Sequence, residues 1–440
     1  MLIVPFGNAI LPGIDFEKSN LAKQVMSEIE GTLPRYIECL LDACLDEEVT
    51  HFLGRKHYQR RHHAKQKITG AQCKKCESRE RRDFRRNGHY SRGLATTYGH
   101  VRVWMPQLEC KCGGYVAYQF KTILPCQRMG VDVKAFIEQE YKNGESYRQI
   151  KAKLDERLDS SVGLRTLNQQ ILKLGSTDGW CEAWEKGTTP PVIRLDAIWL
   201  TVMFQTGAKA KDRLGRLRPV KVAKKVPILA AQAVWPHTGH TRLVAWMLAD
   251  GEDHLSWQKF LERLWEAGLT PENGLKLLVT DGSTGFETAY QSRYWTVPHQ
   301  RCVFHKLKNV ARDLKLPKTM DIQAKKQFST AFLREASKIW QAETKYCAKR
   351  LYETFCAKWK DQQPHAVETL GRDFEATLVF YDVQEDAELR GEHWPSRFLR
   401  TTSPLERMFR EFRRRFDQAI VFHSPTGVCA ATAQLAARFS

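Results

Sequence analysis

Apolar residues recur at helical spacing from Asn20 to Leu53, in two segments that meet at Pro34. Cys39 and Cys44 fall among the apolar positions and are expected in the core, while the apolar tip Met1 to Pro12 gives no readable pattern. Thr96 to Pro106 is strand-like and lies ahead of Cys110, which an expected β-hairpin precedes. Helical spacing returns at Val131 to Tyr141, is broken by Gly144, and resumes over Ser146 to Leu154 and, after the Asp159–Ser161 turn, over Gly163 to Leu172. Beyond the Gly175–Pro191 linker the period alternates. Strands are expected at Val192–Val202, Val226–Val234, Thr241–Leu248, Leu275–Val279 and His299–His305, with helices at His254–Ala267 and Thr284–Arg293. That order predicts an α/β mixed sheet with helices on its faces, in which Asp196 and Asp281 can lie side by side. Residues 317–398 read as an all-α insertion, with Trp340 and Trp359 on its helices. From Pro404 a last helix carries Leu405, Met408, Phe409, Phe412 and Phe416 on one side and arginines on the others. The segments expected are therefore 1–55, 56–130, 131–180, 190–316, 317–398 and 399–440.

Charge narrows the partner. The 440 residues carry a net charge of +19 with 42% apolar residues, which fits a folded protein facing a polyanion, nucleic acid first. No apolar run of about 18 residues and no signal-peptide pattern is present, so a soluble intracellular protein with no membrane contact is expected. Between Arg55 and Arg92 the cations face only Glu77, Glu80 and Asp83, with His51, His57, His62, His63 and His89 interspersed around them, a balance suited to phosphate contact. A second basic excursion, Lys209 to Lys225, reads as a loop lying on DNA. Three short helices, the last offering Arg165, Asn168 and Gln169, suit a helix-turn-helix, with an ordinary helical bundle as the alternative. Arg407, Arg410 and Arg413 fit a helix tracking the DNA backbone or a solvated face.

Twelve cysteines in a long basic chain point to reduced thiols and metal ligation rather than a disulfide framework. Cys73 and Cys76 have the spacing of a zinc knuckle, and Cys110 and Cys112 are one residue tighter. Two hairpins can bring the four together as a zinc ribbon holding a structural Zn²⁺. Free thiols, or His89 or His100 as substitute ligands, remain open. Cys126 stands alone, as a structural cysteine.

Three acids stand out. Asp281 ends an apolar strand, where α/β sheets collect ligands, although Asp-Gly after a strand is commonly a turn that caps the next helix. Asp196 is embedded in an apolar run, where a carboxylate needs a partner or a metal. Glu406 opens the arginine-rich helix, and Ser403-Pro404-Leu405-Glu406 is also a capping box.

Taken in order, Leu195-Asp196-Ala197-Ile198-Trp199-Leu200, Val279-Thr280-Asp281-Gly282-Ser283-Thr284-Gly285-Phe286, Gln300-Arg301-Cys302-Val303-Phe304-His305 through Val310, and Thr401-Thr402-Ser403-Pro404-Leu405-Glu406-Arg407 resemble the Mutator-type DDE transposases of bacterial insertion sequences. Ser403 departs from the asparagine usual in that family. The resemblance implies an RNase H-like mixed-sheet core with an all-α insertion, preceded by a zinc-ribbon-like and helix-turn-helix DNA-binding region. It implies Asp196, Asp281 and Glu406 as the catalytic triad holding two Mg²⁺ or Mn²⁺ ions. Cys302 and His305 are then support for the active site, although a C-x-x-H pair also admits a zinc reading. Trp340, Trp359 and Trp394 fit core packing, or stacking on an unpaired base. The implied activity is cleavage at the ends of a mobile element and strand transfer into target DNA. The implied partners are double-stranded DNA, both terminal inverted repeats and target, and a second copy of the chain as a homodimer. The implied setting is the nucleoid-bearing cytoplasm of a prokaryote. The alternative is a catalytically silent, transposase-derived protein that binds specific DNA.

Overall fold

A computed structural model describes residues 21–60, 66–68, 70–124, 127–156, 162–173, 179–419 and 422–440. Cys126, Met1–Pro12, His62, His63 and the Asp159–Ser161 turn lie outside them. The chain forms two compact units, residues 1–171 and 172–440.

In the first unit one long helix, α1 (Leu21–Leu53), runs straight through Pro34 rather than in two segments. It buries a single stripe of Leu45, Val49, Phe52 and Leu53, with Ile37 and Leu41 half-buried. Cys39 and Cys44 fall off that stripe and are exposed, which corrects their expected place in the core. The stripe packs on a short pair, β1 (Ala71–Cys73) with β4 (Val116–Tyr118), and on a hairpin, β2 (Phe84–Thr96) with β3 (Gly99–Cys110). Glu48 of α1 pins the following loop by accepting the Lys121 and Thr122 amides at 2.7 and 3.0 Å. Helices α2 (Val131–Lys142), α3 (Tyr147–Asp155) and α4 (Leu164–Leu172) follow with the expected bounds. A reciprocal Ser146–Gln149 capping box starts α3.

The second unit is a six-stranded mixed sheet. Its strands are β5 (Trp180–Cys181), β6 (Val192–Lys211), β7 (Leu217–Trp235), β8 (His240–Leu248), β9 (Leu277–Thr280) and β10 (His299–Arg301), in spatial order β10-β9-β6-β7-β8-β5. β9 runs parallel to both β6 and β10, and the remaining pairs are antiparallel. Alternation along β6 sorts its side chains between two cores. Ile193 and Leu195 face α5 (His254–Glu266) and α6 (Thr284–Arg293) through Trp257, Phe260 and Phe286. Val192, with Val279 of β9, faces α7 (Val303–Arg312) and the helices α8 (Ile322–Ser337), α9 (Lys345–Trp359), α10 (Pro364–Gly371) and α11 (Val379–Leu389). These four helices share that core with the sheet. Trp340 and Trp394 are buried in it, Trp340 donating to Thr377 Oγ1 at 2.9 Å, and Trp359 is half-buried against Phe332. Their role is packing. The chain then returns through α12 (Ser403–Ala419) and α13 (Pro425–Ala436), both packed on β6.

Two sequence expectations change here. The strand at His299 stops at Arg301, and Cys302 becomes the cap of α7, which puts His305 in a first helical turn. The excursion Lys209–Lys225 is not a loop. β6 and β7 stay paired beyond the sheet down to Lys211 and Leu217, because a hairpin ladder needs backbone partners and not a buried face.

Candidate active site and thiol cluster

In the first unit Cys73 ends β1, Cys110 ends β3, and Cys76 and Cys112 sit in the turns that follow. All four sulfurs lie within 4.8 Å of one another. Gly114 is what lets them converge, since a Cβ there would stand 2.6 Å from Cys73 Sγ and 3.2 Å from Cys112 Sγ. The Cys76 and Lys75 amides, at 3.5 and 3.4 Å, draw the Cys73 thiol down to about 6, whereas burial pushes Cys110 up to about 12. Four thiols this close cannot all ionise without a cation among them, and a tetrahedral soft-ligand set suits Zn²⁺.

The acids converge in the second unit. The parallel register Arg194↔Val279, continued two residues, sets Asp196 beside Asp281, both on the face toward α7 and α12. Gly282 turns the chain immediately after Asp281 with φ +77°, and a Cβ there would meet Arg301 Nε at 2.0 Å. Arg301 closes over this turn, bonding the Gly282 carbonyl and Asp373. Asp281 Oδ1 accepts the Ser283 amide at 3.1 Å, so it caps as well as facing the cavity. Glu406 is not engaged in a capping box. The Ser403 amide is taken by Thr401 Oγ1 at 3.1 Å, and Glu406 Oε1 lies 3.0 Å from His305 Nε2. One donor atom each from Asp196, His305 and Glu406 lies within 4.8 Å of the others. His305 is thus among the acids rather than behind them. Cys302 is buried and accepts the Thr402 amide and hydroxyl at 3.3 and 3.4 Å.

The electrostatics follow from this crowding. Burial first, then the neighbouring Asp281 and Glu406 charges, push the Asp196 carboxyl up to about 8. Burial opposes charge on His305, yet Cys302 and the acids outweigh it and raise the imidazole to about 9. Burial also opposes the Cys302 thiolate, but the His305 and Thr402 donors bring it down to about 7.

A cavity of about 620 Å³ collects Asp196, Asp281, His305 and Glu406 together with Arg407, Arg410 and Arg413, which α12 presents on one exposed face. Four lining residues escaped the sequence reading: Glu252, Trp199, Phe304 and Lys308. Trp199 donates to Glu252 Oε2 at 3.1 Å. Lys308, one turn beyond Phe304 on a helix already carrying His305, was the only one with a signal in its spacing. Arg194 was also missed. It is fully buried and spans Gln232 Oε1 at 3.1 Å and the Phe398 carbonyl at 2.9 Å, which ties β6 to the chain entering α12. Of the residues expected to read DNA in the first unit, Arg165 and Gln169 are exposed on α4, whereas Asn168 is half-buried and accepts from the Tyr147 hydroxyl at 3.2 Å.

The molecule is thus a mixed α/β protein with an acid-lined, arginine-flanked cavity where the carboxyl end of β9 meets the early part of β6. The sequence matches the model of the Mutator family of transposases over residues 14–437, and the chain belongs to that family. It is 25% identical to the transposase for insertion sequence element IS406 of Burkholderia multivorans over 78% of each chain. It is 22% identical to the transposase for insertion sequence element IS256 in transposon Tn4001 of Staphylococcus aureus over 81% of each. The transposase for IST2 of Acidithiobacillus ferrooxidans is 33% identical over 38% of this chain, a stretch that spans about half (51%) of that relative. Among solved structures, a Drosophila P element transposase strand transfer complex aligns with 69% of this chain at 9% identity and a TM-score of 0.39, too low to define a common fold. No described helix is long and apolar enough to cross a membrane.

Proposed function

We propose that this chain cuts DNA at the ends of a mobile element and joins the freed ends to target DNA, using an RNase H-like core in which Asp196, Asp281 and Glu406 form a DDE triad. The observation that carries this reading is the meeting of these three acids, from two adjacent strands and a distant helix, in one arginine-lined cavity. The donor atoms of Asp196, His305 and Glu406 are close enough to share a cation, and carboxylate oxygens are the ligands Mg²⁺ and Mn²⁺ prefer. Two such ions, when bound, activate the attacking oxygen and stabilise the leaving one at phosphorus. The chain's own residues do the rest. Arg407, Arg410 and Arg413 hold the phosphate backbone across the cavity. His305 Nε2 lies 3.0 Å from Glu406 Oε1, and the Cys302–Thr402 contacts fix the helix end that carries it.

In the first unit the thiol cluster is read as a structural zinc site of a ribbon, and α2–α4 as a helix-turn-helix that meets the terminal repeats through Arg165 and Gln169, with Asn168 oriented by Tyr147. Joining two element ends calls for a homodimer on double-stranded DNA, in the cytoplasm of a bacterium. The test is cleavage and joining of labelled DNA from the flanks of the reading frame with Mg²⁺ or Mn²⁺, for wild type, Asp281→Ala and Glu406→Gln. Activity lost in both variants while DNA binding persists supports the triad. Wild type that binds those flanks but neither cuts nor joins them overturns it in favour of a silent DNA-binding protein.

A further inference from the structure

The ladder of β6 and β7 outruns the sheet it belongs to. Val202 is buried, yet from Gln205 to Pro219 every residue but one, Asp212, is exposed. The pairing still holds from Gln205↔Lys221, across a bulge, to Lys211↔Leu217. At roughly 3.3 Å per residue the exposed part, from the Gln205↔Lys221 pair to the Lys211↔Leu217 pair, is a two-stranded arm about 20 Å long. A tight turn closes it, with the Leu214 and Arg216 amides both 2.9 Å from Asp212 Oδ1 and Gly215 at φ +74°.

Isolated ribbons are marginal in water, so an arm without a covering layer needs a partner. Its composition says which. Between Gln205 and Lys221 stand six cations and one acid, so five of the chain's nineteen net charges sit on this arm, and Lys224 and Lys225 follow at its base. The acid is occupied by the turn and by Arg218 at 3.2 Å. Lys209 and Lys211 share one face with their cross-strand partners Pro219 and Leu217. At the tip Leu214 is 72% exposed, flanked by Arg213 and Arg216. The exposed large apolar side chains of the arm, Leu214, Leu217 and Val222, are each set beside cations in the chain, so charge rather than an apolar face is what the arm offers a partner.

We propose that this arm is a duplex-DNA ribbon: its lysines and arginines rest on phosphates of both strands, and Leu214 enters the groove as a wedge against the base edges. The dimensions agree, since a two-stranded ribbon fits a DNA groove and apolar side chains at the tip of a cationic element unstack base steps and bend the duplex. The inference rests on the reading of the chain as one that acts on DNA, but it concerns binding and not the acids.

The experiment uses the full chain and a 30-base-pair duplex with EDTA present, so that the result is independent of cleavage. Lys209→Gln, Lys211→Gln and Arg216→Gln combined should lower affinity at least tenfold at about 150 mM salt and flatten the salt slope by about three, close to one per phosphate lost. Leu214→Ser should keep the slope and lose the end-to-end fluorescence-transfer change that reports bending. All four positions are exposed, and unchanged melting curves confirm intact folding. A triple variant with wild-type slope and affinity overturns the ribbon, and so does one that keeps DNA binding but alters oligomeric state, which makes the arm a protein contact. A Leu214→Ser protein that still bends DNA removes the wedge. Wild type that binds no duplex defeats both this inference and the proposed function, whereas binding without cleavage defeats only the latter.

Discussion

The thiol cluster of the first unit and the carboxylate cluster of the second are each a convergence of four ionisable side chains, but they are built in opposite ways. Cys73, Cys76, Cys110 and Cys112 come from the ends of β1 and β3 and the turns that follow, and the core beneath them is small: Val49, Phe52, Phe84 and Val116 with a few neighbours. Asp196, Asp281, His305 and Glu406 come from β6, β9, α7 and α12, which two extensive cores on either side of the sheet hold independently. In the first case the ligands are themselves part of the packing, since Cys73 and Cys110 are buried in the core they complete. In the second they stand in an open cavity beyond it. A soft, closed set on so small a core is expected to depend on a bound ion for folding. A hard, open set held by a prepaid scaffold is free to exchange ions, water and substrate.

The sharpest way to break this contrast is to strip the thiol site. Removing zinc with a strong chelator, or making Cys110→Ser, should abolish the cooperative unfolding of the first unit, as structural zinc sites contribute on the order of 10 kcal/mol. Hydrogen exchange should rise across α1 and the β2–β3 hairpin while the sheet of the second unit stays protected. Gly114→Ala should act in the same direction, because its methyl group would occupy the space between two sulfurs. Purified protein that carries no zinc and melts identically with chelator would erase the distinction between the clusters.

Next in size is the opposite experiment on the second unit. Asp196→Asn should cut strand cleavage by at least about 10³-fold, roughly 4 kcal/mol of transition-state stabilisation. The same change should leave the melting temperature of metal-free protein unchanged or higher, because it removes a carboxyl that is ionised in the unfolded chain and whose ionisation burial and the neighbouring acids oppose in the folded one. A variant that lost activity and stability together would make Asp196 a structural residue like the cysteines.

The contrast also explains what the sequence made legible. Asp281 could be read because an apolar run stopping at Asp-Gly marks a strand end, and Glu406 because the apolar positions of α12 are spaced so regularly that its first turn is unambiguous. The cysteines declared themselves by spacing. Glu252 did not, since nothing local distinguishes an acid in a Gly-Glu-Asp turn from an ordinary surface residue; Arg194 stands in the same apolar run that singles out Asp196, but its partners, Gln232 and the Phe398 carbonyl, are brought to it only by the tertiary fold. Cys39 and Cys44 misled because apolar spacing in α1 is looser than the stripe it buries. The arm misled for a different reason: backbone pairing continues where hydrophobic alternation ends, so polarity was taken for a loop.

The smallest expected effect separates scaffold from ligand within the second unit. His299 on β10 is nine-tenths buried between the rings of Phe286 and Tyr290, with centroids 5.0 and 5.1 Å away, and its Nε2 is 2.7 Å from Thr280 Oγ1. That hydroxyl also accepts the Gly282 amide at 3.1 Å, so the imidazole supports the turn that follows Asp281. Glu287 Oε1 is 3.6 Å from Nδ1, too distant to offset the loss of water. Burial, aided by Arg301, therefore holds this histidine at about 4, below its ordinary 6.5. In the unfolded chain it takes up a proton near 6.5, and in the folded chain only near 4. Between those limits the unfolded state binds more protons, so folding stability is full above about pH 6.5 and falls as pH drops toward 4, by about 3 kcal/mol in all. Asp196 contributes with the opposite slope, because its raised carboxyl makes stability fall as pH climbs from 3.8 to about 8. The His299 part is therefore isolated as the difference between wild type and His299→Gln, a side chain that can still bond Thr280. Urea midpoints followed by tryptophan fluorescence report on this unit, since every tryptophan but Trp104 lies within it. The two proteins should diverge steadily between pH 6.5 and 4.5, wild type losing more. Parallel curves would mean that His299 titrates normally and that its burial adds nothing to the pH dependence of this unit.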